Sequence, residues 1–330
     1  MRCTNSSKRI ATIIALILTA LSVCGCGESA YGLVYDKDSA KSAFRLESQD
    51  VRECAPSFAA NLCIPGDEST SENEIDTGSD SYSAAMLFDL KGRKTLYCKH
   101  PYERLYPASM TKVLTAIVAM ENCDMDQMLV ADENCVMTEN DVQKVKLRAG
   151  DRMTLDQALH MLLIYSANDV ANLIAINVGG SVEGFADMMN EKARALGATN
   201  SHFVNPSGLH DDDHYTTAYD MYLIFNKAIT FGKFIEIISM SDYSTIYHDD
   251  SGNDISYECA STNRYLKGEV NPPQAANVIG GKTGTTLAAG SCLVLMSKDP
   301  SDNSYISVVM KADNVDVMYK KTNNMLELLQ

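Results

Sequence analysis

Apolar residues recur along this chain with two different periods. The stretch "YSAAMLFDLKGRKTLYCKH", from Tyr82 to His100, is apolar on both sides of Lys91, Gly92 and Arg93, which predicts two strands joined by a turn. From Pro107 the period lengthens. Val113, Leu114, Ile117, Val118 and Met120 recur at helical spacing, and the same spacing of three and four returns in 155–165, 170–178, 182–196 and 218–229. Near the C-terminus "GSCLVLMSK" and "SYISVVMKA" predict strands on either side of a turn at Asp299, Pro300 and Ser301, before a last helix over 315–329. Strands at both ends with helices between them point to an α+β fold. Its N- and C-terminal strands should form one antiparallel sheet with a helical block packed on it. No internal repeat is visible.

The first residues change the picture from fold to address. Arg2, Lys8 and Arg9 precede an apolar run from Ile10 to Val23 that holds no carboxylate, the pattern of an export signal. The run ends in "LSVCGCG", which resembles the lipobox of bacterial lipoproteins. Cys24 and Cys26 are both candidates for the lipid-bearing cysteine: Val23 is large for the residue before a cleaved bond, whereas Cys26 has the small Gly25 before it. A plain signal peptide or an uncleaved anchor helix are the alternatives. A domain plan follows: export signal over 1–26, polar tether over 27–53, and a folded domain over 54–330 that carries an acidic, Ser-rich loop at 66–81.

With 330 residues, 45% of them hydrophobic, the chain can bury a substantial core. Its formal net charge of -15 grows more negative once the basic N-terminus is removed, and such a surface repels nucleic acid and anionic lipid. Any membrane attachment therefore belongs to the N-terminus. Beyond the signal region stand Cys54, Cys63, Cys98, Cys123, Cys135, Cys259 and Cys292, an odd set that cannot all pair internally. Cys98 and Cys292 lie in apolar strand-like runs and read as buried thiols. Cys54 with Cys63, and Cys123 with Cys135, are the candidate bridges.

Three polar strings carry the candidate chemistry. "SMTK" places Ser109 and Lys112 one turn apart on one face near a helix start; "SAN" places Ser166 and Asn168 in a break between two helical stretches; "GGKTGT" sets Lys282, Thr283, Gly284 and Thr285 behind Gly280 and Gly281, whose missing side chains let another backbone approach. Each string alone is weak, since a Ser at a helix start is usually a cap and a lysine usually a solvated charge. In the order S-x-x-K, S-x-N, K-T-G they form the motif set of penicillin-binding proteins and serine β-lactamases. A serine hydroxyl needs a nearby base to become a nucleophile, and Lys112 can serve only when neutral. The run "HDDDH" from His210 to His214, with His202, is read as a solvated loop rather than a metal site; no metal and no cofactor is expected, and His100, His160 and His248 are read as structural.

The match extends beyond the strings. "YPASMTK", "GGSVEGFADMMNEKARALGATNSHFVNPSGLHDDDHYTTAYDM" and "GGKTGTTLAAGSC" resemble the low-molecular-mass D-alanyl-D-alanine carboxypeptidases of the peptidase S11 type, over nearly all of the chain from Ala84 onward. The resemblance implies a serine D,D-carboxypeptidase that removes the terminal D-Ala of peptidoglycan stem pentapeptides and is acylated by β-lactams. It implies Ser109 as nucleophile, Lys112 as base, Ser166 as proton relay to the leaving amine and Asn168 as the group that holds the substrate amide and orients Lys112. Lys282 would lower the pKa of Lys112, Thr283 would bind the terminal carboxylate, and the backbone N–H groups of Ser109 and Thr285 would hold the oxyanion, beside Gly284 on a strand that the peptide extends. The implied address is the bacterial cell envelope, with the N-terminus anchored.

Departures from the family pattern are also expectations. Members commonly carry an Arg where this chain has Tyr219, a basic residue near Ser304 or Tyr305, and often a His at Thr285, so cationic support for the substrate carboxylate is expected to be reduced. Many members continue into a second, β-rich domain that this sequence does not show. Two competing readings remain. A class A β-lactamase needs a carboxylate for its deacylating water, typically in an E-x-x-L-N string, and none follows Asn168. A catalytically silent wall-binding protein would be expected to lose Ser109, Lys112 or Lys282, and all are retained.

Overall fold

The computed structural model describes residues 62–65, 81–138 and 141–329. The export segment with Cys24 and Cys26, the tether, Cys54 and residues 66–80 of the acidic loop lie outside the described residues. The two ends of the described domain meet in one antiparallel sheet of five strands: β1 (Tyr82–Asp89), β2 (Lys94–Lys99), β7 (Asn277–Thr286), β8 (Gly290–Lys298) and β9 (Ser304–Ala312), in the order β2-β1-β9-β8-β7. This is the sheet expected from the chain ends.

The apolar runs are long because β8 and β9 are buried on both faces. Cys292, Val294, Met296, Ile306, Val308 and Met310 face the helical block. Leu293, Leu295, Tyr305 and Val309 face the other way, toward α7 (Val315–Leu326), whose Met318, Met325 and Leu326 cover them. The helical block consists of α1 (Lys112–Asn122), α2 (Leu155–His160), α3 (Asn168–Gly179), α4 (Val182–Ala195), α5 (Ala218–Ala228) and α6 (Gly232–Ile238). Several starts are capped: Thr154 and Gln157 make a reciprocal capping box on α2, and Ser181, Thr217 and Asn314 accept backbone N–H groups at the starts of α4, α5 and α7. At the sheet, Phe88 stacks on Tyr222 with ring centroids 3.9 Å apart.

Three features differ from the sequence reading. A second sheet, β3 (Met128–Val130), β4 (Arg152–Thr154), β5 (Asp242–His248) and β6 (Asp254–Ala260), has strands too short or too polar for a strong pattern; in β5 and β6 alternate residues are exposed and, Tyr247 apart, those between are only half-buried. The expected helix over 155–165 changes into a π-turn at Met161–Tyr165. Cys123 and Cys135 are free thiols instead of a bridge, and Cys63 is a free thiol whose Sγ lies 3.3 Å from the carbonyl of Asp89. Cys98 and Cys292 are buried, as expected.

Helix α1 is the centre of this arrangement: Lys112, Val113, Leu114, Ala116, Ile117 and Ala119 are all fully buried. Truncation there leaves a void that close-packed neighbours cannot fill. Ile117→Ala is expected to cost about 2–5 kcal/mol, read as a lowered urea midpoint at unchanged slope; a loss below about 1 kcal/mol would show that the core around α1 collapses to fill the gap.

Candidate active site

Ser109 sits in a short 3-10 turn, Ala108–Thr111, that runs directly into α1. Ala108 enters it at φ 45, in the left-handed region that an L-residue adopts only when held there. The holding is visible at Gly208, where an added Cβ would come within 1.8 Å of the Ala108 carbonyl oxygen. One turn on, Lys112 is fully buried, and its Nζ lies 3.0 Å from Ser109 Oγ, 2.7 Å from Asn168 Oδ1 and 2.6 Å from the Ser207 carbonyl oxygen. Burial, and then the nearby Lys282, push the Lys112 amine well below its ordinary range, with Asp169 acting in the opposite sense. In the neutral form two N–H bonds satisfy the two carbonyl oxygens, and the lone pair faces the Ser109 hydroxyl.

The second string meets the first because of the π-turn. That turn ends at Ser166 in the left-handed conformation, φ 72 and ψ 33, which breaks the helix and starts α3 at Asn168. Ser166 is buried, yet its Oγ has no hydrogen-bond partner among the described residues, and it lines the same cleft as Ser109. An orphaned buried hydroxyl costs about 1–3 kcal/mol, so it calls for a role. Asn168 donates its Nδ2 to the Gln143 carbonyl at 3.0 Å, which directs Oδ1 to Lys112.

The third string forms the free edge of the large sheet. Gly284 lies so close to the 3-10 turn that a Cβ would come within 2.8 Å of Ser109 N and 2.9 Å of the Pro107 carbonyl oxygen. Only glycine lets β7 approach this far. Lys282 is fully buried behind the cleft, donates to the Thr283 carbonyl at 2.9 Å, and is pushed down to about 7 by burial. Thr283 and Thr262 share a hydrogen bond of 2.6 Å between their hydroxyls. Between these groups lies a cleft of about 230 Å³, with Ser109, Ser166, Thr283, Gly284 and Thr285 on its walls.

All eight catalytic and substrate-binding residues expected from the sequence thus fall in or directly behind one cleft. Tyr219 does not: it packs in α5 against Tyr102 and Tyr222 and donates its hydroxyl to the Cys63 carbonyl at 3.1 Å. Tyr305 is equally remote, bonded to Asp299 at the β8–β9 turn. The cation that does line the cleft is Arg264, whose guanidinium is held by Asp316 at 2.7 Å and Glu269 at 3.7 Å, over the ring of Tyr319. Sequence reasoning passed over it, and over Gln143 and Thr262, because each lies in a loop with no periodicity. His214 of the "HDDDH" run is a structural group: its Nδ1 accepts from Val204 N, its Nε2 meets Thr111 Oγ1 at 2.8 Å, and burial lowers it to about 4, so it is neutral near pH 7.

Comparison with known proteins points to one family. Residues 68–314 match the family model of peptidase S11, D-alanyl-D-alanine carboxypeptidase. The chain is 32% identical over 251 residues to D-alanyl-D-alanine carboxypeptidase DacF of Bacillus subtilis, covering 74% of this chain and 61% of that one. It is 34% identical over 190 residues to DacB2 of Mycobacterium tuberculosis, covering 57% and 60%. The chain thus spans about 60% of the length of these relatives. Among solved structures, the Streptomyces K15 DD-transpeptidase superposes with a TM-score of 0.69 at 23% identity, covering 76% of this chain and 97% of that one. A D-alanyl-D-alanine carboxypeptidase from Mycobacterium tuberculosis superposes with a TM-score of 0.66 at 27% identity, covering 76% and 91%.

The buried lysines make stability depend on pH in a definite direction. Above about 7 the folded Lys282 has released a proton that the unfolded chain still holds up to about 10.4, so the unfolded state binds more protons. Folding stability then rises with pH across that window, by about 1.4 kcal/mol per unit for this residue. Urea unfolding at pH 7 and pH 9.5 should show a steeper rise for the wild type than for Lys282→Met; parallel slopes would mean that Lys282 keeps an ordinary affinity for protons.

Proposed function

The chain belongs to the peptidase S11 family of D-alanyl-D-alanine carboxypeptidases, and on that premise we propose that it is a serine D,D-carboxypeptidase acting on peptidoglycan stem peptides that end in D-Ala-D-Ala. The observation that carries this reading is the buried Lys112 amine, 3.0 Å from Ser109 Oγ and driven toward its neutral form. As Oγ attacks the carbonyl of the penultimate D-Ala, Lys112 takes the hydroxyl proton. The oxyanion is held by the N–H groups of Ser109 and Thr285, the first at a helix start. Ser166, whose hydroxyl lacks a protein partner, passes the proton to the leaving D-Ala amine. Water then releases the shortened peptide from the acyl-enzyme. The peptide lies along the open edge of β7 as an added strand.

The terminal carboxylate goes to the hydroxyls of Thr262 and Thr283 and to Arg264. Arg264 supplies a cation where the Tyr219 position, which lacks the family's usual Arg, does not. A β-lactam, which presents a strained amide and a carboxylate in the same relation, acylates Ser109. Attachment to the cell envelope through a lipid on Cys24 or Cys26 completes the reading, since two or three acyl chains suffice for stable anchoring; among the described residues no helix is long and apolar enough to cross a membrane.

Fluorescent penicillin should label the wild type covalently and leave Ser109→Ala unlabelled, as judged by intact mass; label on the variant would displace Ser109 as nucleophile. Arg264→Ala should lower kcat/KM for diacetyl-Lys-D-Ala-D-Ala by about 10-fold to 150-fold, the loss of a charge-assisted hydrogen bond of about 1.5–3 kcal/mol. The same substitution should not change cleavage of the corresponding terminal amide. Equal losses on both substrates would remove Arg264 from carboxylate recognition.

A further inference from the structure

Asp169, directly after the S-x-N string, is fully buried and touches no reacting group. Its two carboxylate oxygens accept four backbone N–H groups: Oδ1 from Val145 at 3.0 Å and Val170 at 3.0 Å, Oδ2 from Lys146 at 2.7 Å and Leu147 at 3.1 Å. Three of these donors belong to one irregular segment, in which Lys146 has φ 70. A run of consecutive N–H groups turned onto one carboxylate is an anion-binding arrangement, filled here by the protein itself.

The same segment bonds back to the neighbouring residue. The Gln143 carbonyl accepts both the backbone N–H of Asn168 at 2.9 Å and its side-chain Nδ2 at 3.0 Å. Because an amide carries its oxygen opposite its NH₂, seating Nδ2 on Gln143 leaves Oδ1 toward Lys112 Nζ, at 2.7 Å. Were Gln143 displaced, the Asn168 amide could turn and present NH₂ to the amine, a donor facing a donor. The amine would then lose one of the two acceptors that fix its lone pair on Ser109.

We propose that Asp169 is a positioning residue for catalysis: its carboxylate clamps the segment Gln143–Leu147, and through the Gln143 carbonyl fixes the Asn168 amide that aims Lys112. Gln143 also lines the cleft, so the clamp sets one wall of the substrate site as well as the base. The inference rests on the proposed acylation of Ser109, and its test keeps the two apart.

On the unmodified protein, hydrogen exchange should show the Val145, Lys146 and Leu147 amides protected despite their lack of helix or strand; rapid exchange would overturn the clamp whatever the enzyme does. With β-lactam acylation of the wild type as control for the activity itself, Asp169→Asn should acylate about 10-fold to 100-fold more slowly, the scale expected when a catalytic group is misplaced by about 1 Å. In an Asn168→Ala background the same substitution should cost less than about 3-fold, because the residue through which Asp169 acts is gone. An undiminished rate in the single variant, or an equal loss in both backgrounds, would overturn the inference.

Discussion

An amine at the centre of a protein is expensive to keep charged, and the candidate active site is organised around that constraint. Lys112 starts a helix that is buried from Lys112 to Ala119, and among the described residues no carboxylate is bonded to it; its neighbours are carbonyl oxygens and the Ser109 hydroxyl. Desolvation therefore decides its charge, and Lys282 adds to the same effect. The outcome is an amine biased toward its neutral form, beside a hydroxyl that has no acidity of its own. Lys282, itself buried and lowered to about 7, acts on Lys112 electrostatically.

Keeping that amine dry requires close approach from several directions. Gly208 lets the loop carrying the Ser207 carbonyl press onto Ala108, and Gly284 lets β7 press onto the start of the 3-10 turn. The left-handed residues Ala108 and Ser166 are strained for the same reason: one leads the chain into the turn that carries Ser109, the other ends the π-turn so that Ser166 lines the cleft. Such strain of about 1–3 kcal/mol each is affordable only where the surrounding packing is rigid, and the two buried faces of the sheet supply that rigidity.

The end of the cleft lined by Arg264 follows a different logic. Arg264 is ion-paired with Asp316 and Glu269 and lies against Tyr319, so its position is fixed although about a third of the side chain is exposed. Its partners come from the loop after β6 and from the first turn of α7. The helix that closes the fold thus also reaches the site.

What the sequence by itself determined is everything that depends on local period or on a short ordered string. The strand pairs at the two ends, all the helices between them except the short α6, and the S-x-x-K, S-x-N and K-T-G residues were legible, because each is written in adjacent positions. The second sheet was not, since three-residue strands and half-exposed hairpins carry little periodic signal. Nor were Arg264, Gln143 and the clamp at Asp169, which act through loops whose residues have no pattern until the fold brings them together. Tyr219 shows the converse: its place in a familiar string suggested the substrate site, and only the packing of α5 against β1 put its ring elsewhere. Spacing along a chain records which residues share a face. Which distant faces meet, and which groups lose their water in doing so, is decided by tertiary packing alone.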